Sequence, residues 1–518
     1  MVDNKRKTII SLAWLLLCYC TVCVYVSTCA TSYIDADMSS ELVLAKLLSE
    51  EHAAISENWY YSTELRVLNT QLVFAPLFNL FDSWQAVRAV GTALLLAIMV
   101  LCYVFMARSL NISTAGSFIS AGVLLLPLSS SYTYSVLQGA FYIPHVCISF
   151  VLFGIICRTL SNNKRTLWTA FGGVLAFLAG LGGVRQVFVF TLPIIITAII
   201  ILISAYKSGR DLEKSKAFLI ISGVMLIASG VGCLVNRAVL PEVYSFCNYG
   251  ENTSGRDVAF YSFSVDGFAF FVNSIMELLG YHTGALFSGY LIYNVLFGAI
   301  LLAVVFSVKQ LLSCNYEDFL HKVTALFFIV AIALLGLIYC FTDLDRVARY
   351  CVPVVVFALP ITAAAFERIK ELPKLRISIA AAFLLLLAFC SANTYRTSYG
   401  SDANSELKAV ISYLKSKDYD EGYSSFWSGN LVTELSDGDI EMHVVSSDII
   451  TSADGLQYVY KWLQEKAHDT DVPEGRFFLL LKNFEDDACN LPLQPELATE
   501  TYVIYGFDEF SQFEALYK

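Results

Sequence analysis

Two carboxylates stand two residues apart in Asp35-Ala36-Asp37, directly after the first long apolar run. A carboxylate partly withdrawn from water at a bilayer edge has a raised pKa and can take a proton near neutral pH. A pair at this spacing can also share a divalent cation such as Mg2+ or Mn2+. The plainer alternative for Asp37 is an N-cap, since an apolar-periodic helix follows it. A third carboxylate, Glu64, lies in the aromatic and polar stretch Asn58–Arg66, where an ion pair with Arg66 is the alternative. Trp59, Tyr60 and Tyr61 in that stretch read as interfacial anchors.

Arginines supply the opposite charge. Arg346 and Arg349 are three residues apart in Thr342–Pro353, so a helical start would put them on one face. Their planar forks suit phosphate oxygens, with Asp343 and Asp345 as the competing partners. Arg185, in Gly182-Gly183-Val184-Arg185-Gln186, suits a phosphate contact or a loop anchor. Arg88, at the start of an apolar span, reads as a snorkelling flank residue. His145 and His282, near outer span starts, have no metal-ligand spacing and read as structural, with a polar contact to substrate as the alternative.

These residues must be positioned by a membrane bundle. The 518 residues are 57% hydrophobic and 15% charged, against roughly a quarter charged in soluble domains. Apolar runs recur at about the 20 residues needed to cross a bilayer as helices. They fall near 8–28, 87–107, 111–129, 138–157, 166–183, 186–206, 217–236, 282–308, 323–341, 350–367 and 377–393. The expectation is a polytopic α-helical membrane protein of about 11 transmembrane helices. With the N-terminus inside, 17 lysines and arginines fall in short inner segments. Eight lie in the longer outer segments before residue 394, so the positive-inside rule puts the C-terminus outside. The first span is read as uncleaved.

Polar surface is concentrated outside, in loops 29–86 and 237–281 and in the tail 394–518. The tail holds 23 acids and 9 bases, net −14, and the preceding 393 residues net +3. No basic nucleic-acid footprint exists. Strand patterns near Tyr423–Trp427, Ile440–Val445, Arg476–Leu481 and Thr501–Tyr505 alternate with helical patterns at Ser405–Lys417 and Gly455–Ala467. The division expected is therefore a transmembrane domain, 1–393, and an exported α/β domain, 394–518. Turns at Phe426–Asn430 and Leu435–Gly438 are either glycan contacts or plain loops. Most of the 14 cysteines lie in apolar runs; Cys247 and Cys489 are the pair in polar exported segments that a bridge would use. The sequon Asn252-Thr253-Ser254 lies in an outer loop.

This order of features resembles the GT-C superfold, which includes protein O-mannosyltransferases, oligosaccharyltransferases and aminoarabinose transferases. The shared features are a first helix with a cytoplasmic start, an acidic residue or pair after it, a long first outer loop, and a many-span bundle. At residue level the likeness rests on Asp35 and Asp37, on the Trp59–Arg66 stretch, and on the Arg349-Tyr350-x-x-Pro353 run. The resemblance implies transfer of a sugar from a polyprenyl-phosphate donor to an exported polymer, lipid or protein at the outer face of a bacterial plasma membrane. It implies Asp37 or Asp35 as general base, Glu64 as a further candidate, and Arg346, Arg349, Arg185 and Tyr350 near the donor phosphate. Rival classes are a transporter or flippase of lipid-linked glycans, and a non-catalytic scaffold or sensor. A transporter would carry ionisable residues at mid-span and internal repeats, and neither is evident.

Overall fold

Long apolar runs can satisfy their backbone in lipid only as helices. In the computed structural model, nine helical segments among the described residues are long and apolar enough to span a membrane. They are Lys5–Ser32, Trp84–Ser109, Ile143–Ser161, Val187–Lys207, Glu213–Glu242, Leu291–Leu312, Phe319–Phe341, Ala348–Arg368 and Ile377–Tyr399. The structure describes residues 2–62, 65–161, 165–209, 212–246, 260–282, 290–313, 319–343, 346–369, 373–445, 459–489 and 491–517. Glu64, Cys247, Asp345 and the sequon at Asn252 lie outside them.

Nine of the eleven expected spans coincide with these segments, and the other two runs form shorter helices. The run at 111–129 forms a helix only over Thr114–Leu124, 11 residues. Pro127 and three serines follow it, and Ser129 caps the next turn by accepting from the Tyr132 N–H. The run at 166–183 forms a 16-residue helix, Arg165–Gly180. It ends at Gly180, and Gly183 turns the chain at φ 90°. Gly180 and Gly232 have no room for a Cβ against each other's helix, so two backbones cross in contact there.

On the α/β side, helix α1 (Val2–Cys29) is followed, after a short turn, by α2 (Ala36–Glu50). The chain then forms strand β1 (Trp59–Tyr61), α3 (Gln71–Phe78) and α4 (Trp84–Ser109). Later come β2 (Ser245–Phe246), β3 (Glu421–Ser425), β4 (Glu441–Val445), β5 (Gln464–Glu465), β6 (Phe477–Lys482), β7 (Leu497–Ala498) and β8 (Tyr502–Phe507). The main sheet has order β4-β3-β6-β8-β7, with β4, β3 and β6 parallel and the rest antiparallel. Its strands lie close to the expected positions. The helix expected at 455–467 does not form over its described part: β5 and a 3-10 turn, Lys466–Asp469, occupy 464–469.

Strand periodicity explains how the sheet sits on the bundle. Phe477, Leu479 and Leu481 face a separate aromatic cluster with Tyr423, Phe507 and Phe513. Phe478 and Leu480 face the other way and join the core that continues through the membrane helices. A second, three-stranded sheet of order β2-β1-β5 ties loops 29–86 and 237–281 to the tail. Trp59 is completely buried within it, so this aromatic run is a structural strand and not an interfacial anchor.

Candidate active site

The acidic segment becomes the start of α2. Asp35 is its N-cap: the carboxylate accepts the Met38 N–H at 3.0 Å and the Tyr134 hydroxyl at 2.6 Å. Burial and the adjoining Asp35 charge hold the Tyr134 phenol up, in its donating form. The capping role therefore falls on Asp35, and Asp37 in the first helical turn is left to face outward from that turn. Its Oδ2 lies 3.5 Å from Arg349 Nη1, with both side chains about 30% exposed. Burial pushes the Asp37 carboxyl above its ordinary value and Asp35 adds to this; Arg349 and Arg66 pull against it.

One helical turn on, Glu41 shares the face of Asp37. It accepts from Gln71 Nε2 at 2.6 Å and from the Thr70 hydroxyl. A small open cleft beside α2 is lined by Asp37, Ser40, Glu41, Arg66, Asn69 and Leu463. The Nε of Arg66 is buried with no hydrogen-bond partner among the described residues. Glu41 and Arg66 were not singled out from the sequence as site residues. The i,i+4 spacing from Asp37 was the signal for Glu41; nothing local marks Arg66 beyond its charge.

Arg185 donates to the Tyr142 hydroxyl at 3.0 Å and lies 3.5 Å from His145 Nε2. Its guanidinium also sits over the rings of Tyr142, at 5.4 Å, and Tyr350, at 5.0 Å. Arg349 lies 5.7 Å from the Phe141 ring centroid, and Phe141 touches both Tyr134 and Tyr142. An aromatic cluster thus links the Asp37–Arg349 pair to Arg185, Tyr142 and Tyr350. Two π-helical segments adjoin it: Thr133–Gln138 carries Tyr134, and Val187–Thr191 follows Arg185. Such widened turns are frequent at functional sites.

Arg346 does not share a face with Arg349. The chain is extended at Val347 (φ −128°, ψ 124°), and the 3-10 turn begins only at Ala348. Arg346 is exposed and donates to the Ser264 hydroxyl at 3.0 Å. Without a helix spanning both positions, their spacing of three has no angular meaning.

Arg88 is also not a flank residue. It is 1% exposed and forms a bidentate pair with Glu434, its Nη2 reaching Oε2 at 2.7 Å. The same Nη2 donates to the Met38 carbonyl at 2.9 Å, next to Asp37. Asn430, one turn before Glu434, donates to the Ser40 hydroxyl at 2.8 Å. The turn Leu435–Gly438 serves α4: Asp437 accepts the Trp84 N–H at 2.6 Å. These turns of the tail therefore grip α2 and α4.

No protein-family model matches the chain, and no curated protein matches it. Solved structures do. ArnT from Cupriavidus metallidurans in the apo state superposes with TM-score 0.60 at 11% identity, over 96% of this chain and 97% of that one. The same protein bound to undecaprenyl phosphate gives TM-score 0.55 at 11% identity over the same shares. An Archaeoglobus fulgidus oligosaccharyltransferase carrying an acceptor peptide gives TM-score 0.49 at 10% identity, over 90% of this chain and 69% of that one. The fold statement rests on the first two. Over nearly its whole length, the chain shares the fold of ArnT.

Proposed function

We propose that this protein transfers a sugar from a polyprenyl-phosphate donor to an exported acceptor by a single inverting displacement. The observation that carries the reading is the half-buried Asp37 carboxylate 3.5 Å from Arg349, beside a cleft and next to further arginines. The fold it shares with ArnT supports a lipid-phosphate donor, since that protein binds undecaprenyl phosphate. Asp37 takes the proton of the acceptor hydroxyl or amine. The acceptor atom then bonds to the anomeric carbon as the bond from that carbon to the phosphate oxygen breaks, and the lipid phosphate leaves. Arg349, Arg185 and Arg66 take up the charge on the leaving phosphate, with Tyr142 and Tyr350 holding Arg185. Arg346 lies apart from this group and would act on the donor only at its periphery.

Arg349 has two roles that compete. Before the donor binds, its neighbour is Asp37. A phosphate that draws the guanidinium towards itself removes positive charge from beside Asp37 and makes the carboxylate a better base. Asp35, held by its cap and Tyr134, orients the helix start. A divalent cation at Asp35 and Asp37 would have to displace the Tyr134 and Arg349 contacts. The proposed setting is a bacterial plasma membrane, with the N-terminus inside and the tail outside.

The test is sugar transfer in membranes supplied with a panel of radiolabelled polyprenyl-phosphate sugars, comparing wild type with Asp37→Asn and Asp35→Asn. Transfer by wild type that is lost in Asp37→Asn at equal protein level supports the reading. Transfer that survives in both variants and in their double variant overturns the base assignment.

A further inference from the structure

A second cluster of chemistry-bearing side chains lies in the tail, away from the arginines. Glu441 and His443 are two residues apart on β4, so they share a face of the main sheet. Glu421, on β3, is in register with Glu441. His468 comes from the 3-10 turn after β5. One ligating atom from each of Glu441, His443 and His468 lies within 4.8 Å of the others. The two imidazoles are stacked, with centroids 4.2 Å apart. Both are buried, at 1% and 5% exposure.

The hydrogen bonds decide the tautomers. Gln464 Nε2 donates to the carbonyls of Val444 and Tyr460, so its Oε1 is the acceptor and takes the Val444 N–H at 2.9 Å. His468 Nδ1, 3.0 Å from that same oxygen, must therefore carry a proton. A neutral His468 then presents a bare Nε2 lone pair 3.1 Å from the Glu441 carboxylate. Two acceptors facing each other at that distance need a proton or a metal cation between them. His443 has the complementary pattern. Its Nε2 lies 2.7 Å from Glu421 Oε1, and its Nδ1 is buried with no hydrogen-bond partner among the described residues.

We infer that Glu441, His443 and His468 bind a divalent transition-metal ion of the zinc class, with Glu421 orienting His443 and Gln464 orienting His468. Two imidazoles and a carboxylate are a ligand set for Zn2+, and Mg2+ or Ca2+ would prefer oxygen alone. A second ligand set fixed by Gln464 and Glu421 is the usual support for metal-binding histidines. The ion would join β4 to the 464–469 segment. That segment pairs with β1 through β5, and the Leu463 N–H donates to the Tyr60 carbonyl at 2.7 Å. Leu463 itself lines the cleft of Asp37. The metal therefore latches a strap of the tail against the first outer loop.

The test uses the full-length protein in detergent, stripped with chelator and then titrated with Zn2+ or Co2+, with Mg2+ as control. The expected result is about one zinc per chain, with Co2+ giving the intense visible bands of four-coordinate nitrogen and oxygen ligation. His443→Ala and His468→Ala should each weaken zinc binding by more than about 10-fold and abolish the cobalt bands. Glu441→Gln, at an exposed carboxylate, keeps the fold intact and should weaken binding in the same direction. Zinc should raise the melting temperature of wild type and not of the His468 variant. Asp37→Asn should bind zinc like wild type, which separates this site from the proposed catalytic one. Wild type that takes up no zinc, or zinc binding unchanged in all three ligand variants, would show a hydrogen-bonded network only and overturn the assignment.

Discussion

At the residue scale the question is what a carboxylate gains from its place in the chain. Asp35 and Asp37 are chemically alike, and one helical cap separates their roles: Asp35 is consumed by the Met38 N–H and Tyr134, whereas Asp37 is half-buried beside Arg349. Asp37→Asn is expected to lower sugar transfer by about 10²- to 10⁴-fold, the usual contribution of a positioned base, measured as initial rate in membranes. The acid limb of kcat/KM should lie above the ordinary aspartate value of 3.8, because burial and Asp35 raise Asp37. Activity then falls as pH drops through that raised value, where the base becomes protonated. Arg349→Gln removes the largest opposing charge, so the limb should move to still higher pH; a limb that moves down would contradict the pairing. The same shift has a stability consequence. A raised folded pKa stabilises below the unfolded value and is lost as pH rises through the folded one. Asp37→Asn should therefore melt above wild type at pH 7 while losing activity.

At the element scale, α2 is held by its cap at one end and by the tail along its side. Asp35→Ala should cost about 0.5–2 kcal/mol through the lost cap, and Asp35→Asn much less, read by thermal unfolding. The buried Arg88–Glu434 pair joins α4, the Met38 carbonyl and the tail helix Gly429–Leu435. Removing one partner leaves an uncompensated buried charge, so Arg88→Met alone should destabilise by about 3–5 kcal/mol. The double variant Arg88→Met with Glu434→Leu should recover most of that loss. A single variant as stable as wild type would mean that the pair does not hold the interface.

At the scale of the whole molecule, one sheet face is continuous with the membrane core and the other is closed by its own aromatic cluster. This gives the tail a fixed side against the bundle and sets it above the cleft of Asp37 through Leu463. The proposed orientation can be read directly. A cysteine at exposed Lys417 should react with a membrane-impermeant maleimide in intact cells, and one at exposed Lys207 only after permeabilisation. The opposite pattern would invert the topology.

The sequence alone determined what depends on local pattern. Long apolar runs marked the membrane helices, and short apolar runs bounded by turns marked β3, β4, β6 and β8, because a buried element must be apolar along its own length. The acidic pair after the first span was legible for the same reason: its place is fixed by the end of a helix. Sequence patterns failed where length or partners decide. Apolar composition at 111–129 and 166–183 did not reveal that helices of 11 and 16 residues stop there. Arg346 and Arg349 had helical spacing without a helix. Arg88 resembled a flank residue because its partner, Glu434, lies 346 positions away. The metal-ligand cluster was invisible as a motif, since its residues come from β4 and a turn that lies more than 20 residues further along and is brought beside it by the β1–β5 pairing. Contacts across that much chain have no signature in one sequence; only the tertiary structure brings them together.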